Sequence, residues 1–175
     1  MKAETNISNY ILRGVRQINR KKTFFSLHSP IIDRTDLLEV KKCLNSTYVS
    51  THSNLIKKFE KNISSFTKSK YSVATINATS GLHIALKALD IRKNDEVLLG
   101  DLNYIAAANS ILYIGATPHF VDIGLNDLFI DVKKLEKYLE TTTTQVRGRL
   151  INKKTGKIIK AIIATYIFGK GGQIN

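Results

Sequence analysis

The sharpest chemical signal in the chain is the five-residue stretch Asn77-Ala78-Thr79-Ser80-Gly81. Its residues are small, and Asn77, Thr79 and Ser80 carry hydrogen-bonding side chains. Before it, Tyr71-Ser-Val-Ala-Thr-Ile-Asn77 is β-branched or apolar and reads as a buried strand. After it, Leu82, Ala85, Leu86 and Leu89 fall on one helical face. A chain that turns from strand into helix leaves backbone N–H groups without intrahelical acceptors, at the positive end of the helix dipole. Such a turn binds phosphate when it stays open. Asn77 or Thr79 can cap the first turn, and the Thr79 and Ser80 hydroxyls add donors. The same unit is common as plain structure, so both readings stand at this point. The turn is neither G-x-G-x-x-G nor Walker A, which argues against a dinucleotide or P-loop site.

The elements around it must hold it in place. Residues 4–22 read as an amphipathic helix with Ile7, Ile11, Val15 and Ile18 on one side. Residues 24–30 read as an extended segment stopped by Pro30. Asp33 or Thr35 can cap a helix through about Leu44, with Cys43 on its apolar face as a buried, inert thiol. Asn45 to Ser53 is hydroxyl-rich and reads as a loop. Asn54 can cap a helix carrying Leu55, Phe59 and Ile63. Further strands are expected at Asp95–Leu99, Pro118–Ile123 and Lys157–Phe168, with helices at Asn103–Ile114 and Val132–Leu139 between them. This alternation predicts an α/β fold with a mostly parallel sheet flanked by helices. Residues 141–158 break the rhythm and read as a hairpin insertion on the surface, with a turn at Lys154-Thr155-Gly156.

With 175 residues and 43% hydrophobic content, the chain can bury a real core. No apolar run is long enough to span a membrane, and the first residues lack a signal-peptide core. A single cysteine excludes an internal disulfide framework, so a cytoplasmic location is expected. The net charge of +13 raises the possibility of a nucleic-acid or acidic partner. The cations are dispersed, though, and no RNP, zinc-finger or basic-zipper pattern appears. His28, His52, His83 and His119 lack metal-ligand spacing, so no metal site is expected.

Several landmarks recur in one order. They are Tyr48-Val-Ser-Thr51 with Lys58-Phe-Glu60, Asn77-Ala-Thr-Ser-Gly-Leu-His83, Asn94-Asp-Glu-Val97, Asn103-Tyr-Ile-Ala-Ala-Ala-Asn109 and Gly115-Ala-Thr-Pro-His-Phe-Val-Asp122. In this order the sequence resembles the amino-terminal part of the DegT/DnrJ/EryC1/StrS sugar aminotransferases. Phe25-Ser-Leu-His-Ser-Pro30 and Ile151-Asn-Lys-Lys-Thr-Gly156 look like the subgroup associated with legionaminic and related nonulosonic acids.

The resemblance implies a partial fold-type I PLP-transferase large domain over 24–175, preceded by a helical extension over 1–23. It implies pyridoxal 5′-phosphate as cofactor, a nucleotide-linked 4-keto sugar as substrate, and a homodimer. Ala78, Thr79 and Ser80 match the turn that holds the cofactor phosphate, and Tyr104 matches the aromatic residue stacked on its ring. Ser50, Thr51 and Ser53 match the loop that contacts the nucleotide-sugar. The family also needs a lysine that bonds the cofactor aldehyde and a carboxylate beside the ring nitrogen. No residue of this sequence matches either, so no catalytic residue is assigned. The expectation is a truncated chain that is inactive alone and binds the cofactor non-covalently at best. Ala164-Thr165-Tyr166 stands where the family more often has Pro-Val-His, and Asn103 stands where threonine is frequent. The rival expectations are a basic binding protein on an α/β scaffold and a Rossmann-type enzyme, the latter opposed by the missing glycine fingerprint.

Overall fold

The computed structural model describes residues 13–17, which are helical, and 29–169. The rest of the expected 4–22 helix, residues 24–28 with His28, and Lys170 lie outside the described residues. The chain divides into two compact units, Met1–Lys57 and Lys58–Asn175. The sequence reading drew its boundary at 23/24.

In the first unit, α1 spans Arg34–Asn45. The Asp33 carboxylate accepts the amides of Thr35 (2.7 Å) and Asp36 (3.1 Å), and Asp36 returns a carboxylate to the Asp33 amide at 2.9 Å. This reciprocal cap satisfies N-terminal donors that the helix itself cannot. The amides of Asp36 and Thr35 hold the Asp33 carboxyl below its ordinary range. No side chain of α1 is buried. Cys43 is correspondingly only half-buried, not enclosed as its position on the apolar face predicted, and its thiol faces the Tyr48 carbonyl. Leu37, Val40 and Leu44 on the same helix are more than half exposed, so the described residues of this unit leave the stripe uncovered.

α2 spans Asn54–Thr67 and crosses the unit boundary. Its cap is Ser53, one residue earlier than expected. The Ser53 hydroxyl accepts the Leu55 amide at 3.2 Å, and its carbonyl accepts the amides of Ile56 and Lys57.

The second unit holds α3 (Ala78–Ala88), β1 (Glu96–Gly100), α4 (Ile105–Leu112), β2 (Thr117–Val121), α5 (Val132–Thr142), β3 (Thr143–Val146), β4 (Arg149–Asn152) and β5 (Ile158–Ile163). The sheet order is β2-β1-β5-β4-β3. β1 pairs in parallel with β2 and β5, while β4 is antiparallel to both β5 and β3. The α/β class holds, and the sheet is mixed.

β1 is buried along its whole length and divides the core by strand alternation. Val97 and Leu99 pack with Leu86 of α3 and with Ala107, Ala108 and Ile111 of α4. Leu98 points the other way, to Val121, Phe129, Ile130 and Ile159, with Leu135 and Leu139 of α5 against them. Each fully buried leucine of this kind stabilises by about 2 kcal/mol.

One expectation is corrected. Tyr71–Asn77 belongs to no sheet, and Tyr71, Val73 and Ile76 are more than three-quarters exposed. A β-prone composition is not enough: a strand also needs a ladder partner, and none exists among the described residues. Glu60 holds it instead: the Ser72 hydroxyl donates to the Glu60 carbonyl (2.5 Å) and the Ala74 amide to the Glu60 carboxylate (2.9 Å).

Residues 141–158 contain the expected hairpin, largely exposed at the edge of the sheet. They lengthen α5 to Thr142 and add β3 and β4 to the edge of the main sheet. The tight turn lies at Arg147-Gly148, both with positive φ (50° and 74°), as a two-residue hairpin requires. The Lys154-Thr155-Gly156 turn links β4 to β5.

Candidate functional site

α3 hands the chain to the start of β1 through residues 89–95, and β1 hands it to α4 through residues 101–104. The two helices share one apolar cluster on one face of the sheet. By this connectivity both begin at the end where β1 and β5 finish, the end at which open α/β sheets bind ligands.

At the start of α3 the Asn77 backbone is extended, and its side-chain oxygen accepts the Ser80 amide at 2.8 Å. The Gly81 amide bonds the Asn77 carbonyl at 3.1 Å. Two amides remain. Among the described residues, those of Ala78 and Thr79 have no protein acceptor, and the Thr79 and Ser80 hydroxyls have no protein partner. Ala78 is exposed, and Thr79 and Ser80 are half-buried. The cradle expected from sequence is therefore half occupied by its own cap and half open. Gly81 permits the close turn: a Cβ there would sit 3.2 Å from the Thr75 hydroxyl.

Tyr104 is the N-cap residue of α4, is 79% exposed, and makes no capping bond with its side chain. The preceding residue fixes its backbone. Asn103 accepts the Tyr104 amide at 2.8 Å and donates to the Thr165 hydroxyl at 2.9 Å. Two residues beyond β5, Thr165 thus ties the loop after β5 to the loop after β1. Beside it, Tyr166 stacks on Phe129 with ring centroids 5.1 Å apart.

Ser50, Thr51 and Ser53 lie in the first unit. Ser50 and Thr51 are exposed, and the Ser50 hydroxyl accepts the His52 amide. Ser53 is buried at 7% exposure, its hydroxyl committed to capping α2. Within this unit Lys42, Cys43, Tyr48, His52, Ser53 and Lys57 line a cavity of about 650 Å³.

A second polar group lies at the opposite end of the sheet. Glu96 opens β1 with 1% exposure, and its carboxylate accepts from Thr155 (2.6 Å), Asn152 (2.9 Å) and His119 (2.7 Å). Burial pushes this carboxyl up, but the bonds from Thr155, Asn152 and His119, with the His119 charge, outweigh it and hold it below the ordinary glutamate range. Sequence reasoning passed over Glu96. The available signal was a carboxylate inside the otherwise apolar run Glu96-Val-Leu-Leu99.

The basic residues after α5 are partly engaged within the fold. Lys153 bonds the Thr141 carbonyl, Lys157 bonds the Thr117 hydroxyl, and Lys160 pairs with Asp90 and Asp95. Among the described residues no cluster of His, Cys, Asp or Glu could hold a metal, and no helix is long and apolar enough to cross a membrane.

The fold is α/β, with open amide and hydroxyl donors at the start of α3 and an exposed aromatic ring at the start of α4. The DegT/DnrJ/EryC1/StrS aminotransferase family model matches residues 30–175, and the chain belongs to that family. It is similar to the GDP-perosamine synthase of Caulobacter vibrioides, 36% identical over 121 residues, covering 69% of this chain and 33% of the relative. It is also similar to the spore coat polysaccharide biosynthesis protein SpsC of Bacillus subtilis, 35% identical over 129 residues, covering 74% of this chain and 33% of SpsC. Among solved structures it resembles the PMP form of a protein described as a sugar aminotransferase, Spr1654 from Streptococcus pneumoniae. The TM-score is 0.60 at 29% identity, over 65% of this chain and 28% of that one. The same protein has been solved in a PLP form. The chain spans about a third of the length of the curated relatives it matches.

Proposed function

We propose that this chain supplies the cofactor-holding part of a pyridoxal-phosphate-dependent aminotransferase acting on a nucleotide-linked 4-keto sugar. One observation carries the proposal: the start of α3 presents two amides and two hydroxyls with no hydrogen-bond partner among the described residues, in a chain of this family. These donors suit a phosphate monoester, and the exposed ring of Tyr104 suits a flat heteroaromatic ring. The residues therefore fit the group. Pyridoxal phosphate, when bound, supplies an electron sink that lets an amino group move. The chain's own residues bind and orient. Ala78 and Thr79 donate through backbone, Thr79 and Ser80 through hydroxyls, and Tyr104 covers one face of the ring. Ser50 and Thr51, on their exposed loop, meet the nucleotide-sugar, and Ser53 steadies that loop through its cap on α2. GDP-perosamine synthases among the relatives favour a nucleotide-linked sugar as substrate. The proposed hold on the cofactor is non-covalent, through the open donors of α3 and the ring of Tyr104. The family resemblance also favours a cytoplasmic homodimer.

Titration of the purified chain with pyridoxal 5′-phosphate tests this. Expected is saturable binding that inorganic phosphate competes away, with no single lysine labelled by borohydride. Absence of saturable binding sinks the cofactor assignment, and labelling of one unique lysine sinks the non-covalent one.

A further inference from the structure

We propose that Asn103 is a positioning residue that aims the Tyr104 ring, acting together with Thr165. The proposal rests on the reading of Tyr104 as the ring-stacking residue. With a side chain 79% exposed and no capping bond of its own, Tyr104 is directed by its backbone, at φ −77° and ψ 137°. Asn103 holds that backbone from one side and the loop after β5 from the other. Its oxygen accepts the Tyr104 amide at 2.8 Å, and its nitrogen donates to the Thr165 hydroxyl at 2.9 Å, across 62 residues of sequence. The far end of this linkage is anchored in the core. Tyr166, next to Thr165, stacks on Phe129, which is 96% buried, at 5.1 Å and 24° between planes. A continuous path therefore runs from the core through Phe129, Tyr166, Thr165 and Asn103 to Tyr104.

The test compares the full chain with Asn103→Ala, Thr165→Ala, the double variant and Asn103→Asp. The first measurement needs no cofactor: hydrogen exchange at the Tyr104 amide. Asn103→Ala is expected to speed it at least fivefold, and Asn103→Asp, which keeps the acceptor oxygen, to restore protection. The second is the dissociation constant of pyridoxal 5′-phosphate, with the circular dichroism induced in the bound cofactor. Asn103→Ala and Thr165→Ala should each weaken binding roughly fivefold and reduce the induced signal, and the double variant should be no worse than either single one. Unchanged Tyr104 exchange in Asn103→Ala overturns the proposal, as do cofactor effects that add without coupling. If the wild-type chain binds no cofactor, the proposed function falls, and the exchange measurement alone upholds or overturns the positioning role.

Discussion

Glu96 and Thr155 lie 59 residues apart in sequence and 2.6 Å apart in the fold. The same carboxylate takes Asn152 from the end of β4 and His119 from β2, and His119 passes a second bond to the Tyr138 hydroxyl of α5 at 2.9 Å. One acidic side chain therefore joins β1, β2, α5 and the turn into β5. This explains why the hairpin belongs to the sheet: its closing turn donates to a carboxylate that would otherwise be buried alone.

Replacement of Glu96 tests that role. Glu96→Ala leaves Thr155, Asn152 and His119 without their acceptor and is expected to cost roughly 3 kcal/mol in urea unfolding. Glu96→Gln should cost less, because one oxygen still accepts.

The pH dependence has a definite sign. The Glu96 carboxyl titrates below its unfolded value. Its contribution is thus complete above the unfolded glutamate value of about 4.3 and is lost as pH falls through the lower, folded value. Unfolding midpoints measured from pH 7 down to the acid limit should show a wild-type decline in that window that Glu96→Gln lacks. Parallel curves for the two proteins would refute it.

For the phosphate cradle, the expectation concerns affinity and not stability. Thr79→Val with Ser80→Ala removes two hydroxyl donors that make no hydrogen bond among the described residues. Affinity for pyridoxal 5′-phosphate should drop about tenfold, from two lost bonds to a charged group, while the melting temperature stays within a few degrees. Asn77→Ala should do the reverse, destabilising α3 by about 1 kcal/mol through loss of its cap.

Tyr104 offers a separable test. Tyr104→Phe keeps the ring face and should retain cofactor affinity; Tyr104→Ala should weaken it about fivefold, the value of an aromatic stack. Since the side chain is exposed, neither change should alter the unfolding midpoint measurably.

The hairpin turn gives a prediction independent of any ligand. Arg147 and Gly148 both need positive φ, which suits glycine and asparagine. Gly148→Ala should destabilise by about 1 kcal/mol, and Arg147→Asn should stabilise by a few tenths, in thermal unfolding.

Much of this was legible in the sequence. The Asp33 cap, the α/β alternation and the small-residue turn at 77–81 each follow from short-range chemistry, and the structure contains all of them. The strand at 71–77 misled because β propensity describes how one segment bends, whereas a sheet needs a second segment opposite it. The hairpin within 141–158 was legible, with its basic tip on the surface, but not that the turn following it closes on Glu96.

The sequence alone located the turn at 77–81 and its candidate caps, Asn77 and Thr79, because capping depends on neighbours within four residues. It also determined family membership through the order of local landmarks. Only the tertiary structure decided that Asn103 meets Thr165 and that Thr155 meets Glu96. Those facts depend on contacts between residues far apart in the chain, and no local pattern encodes a distance across 62 positions.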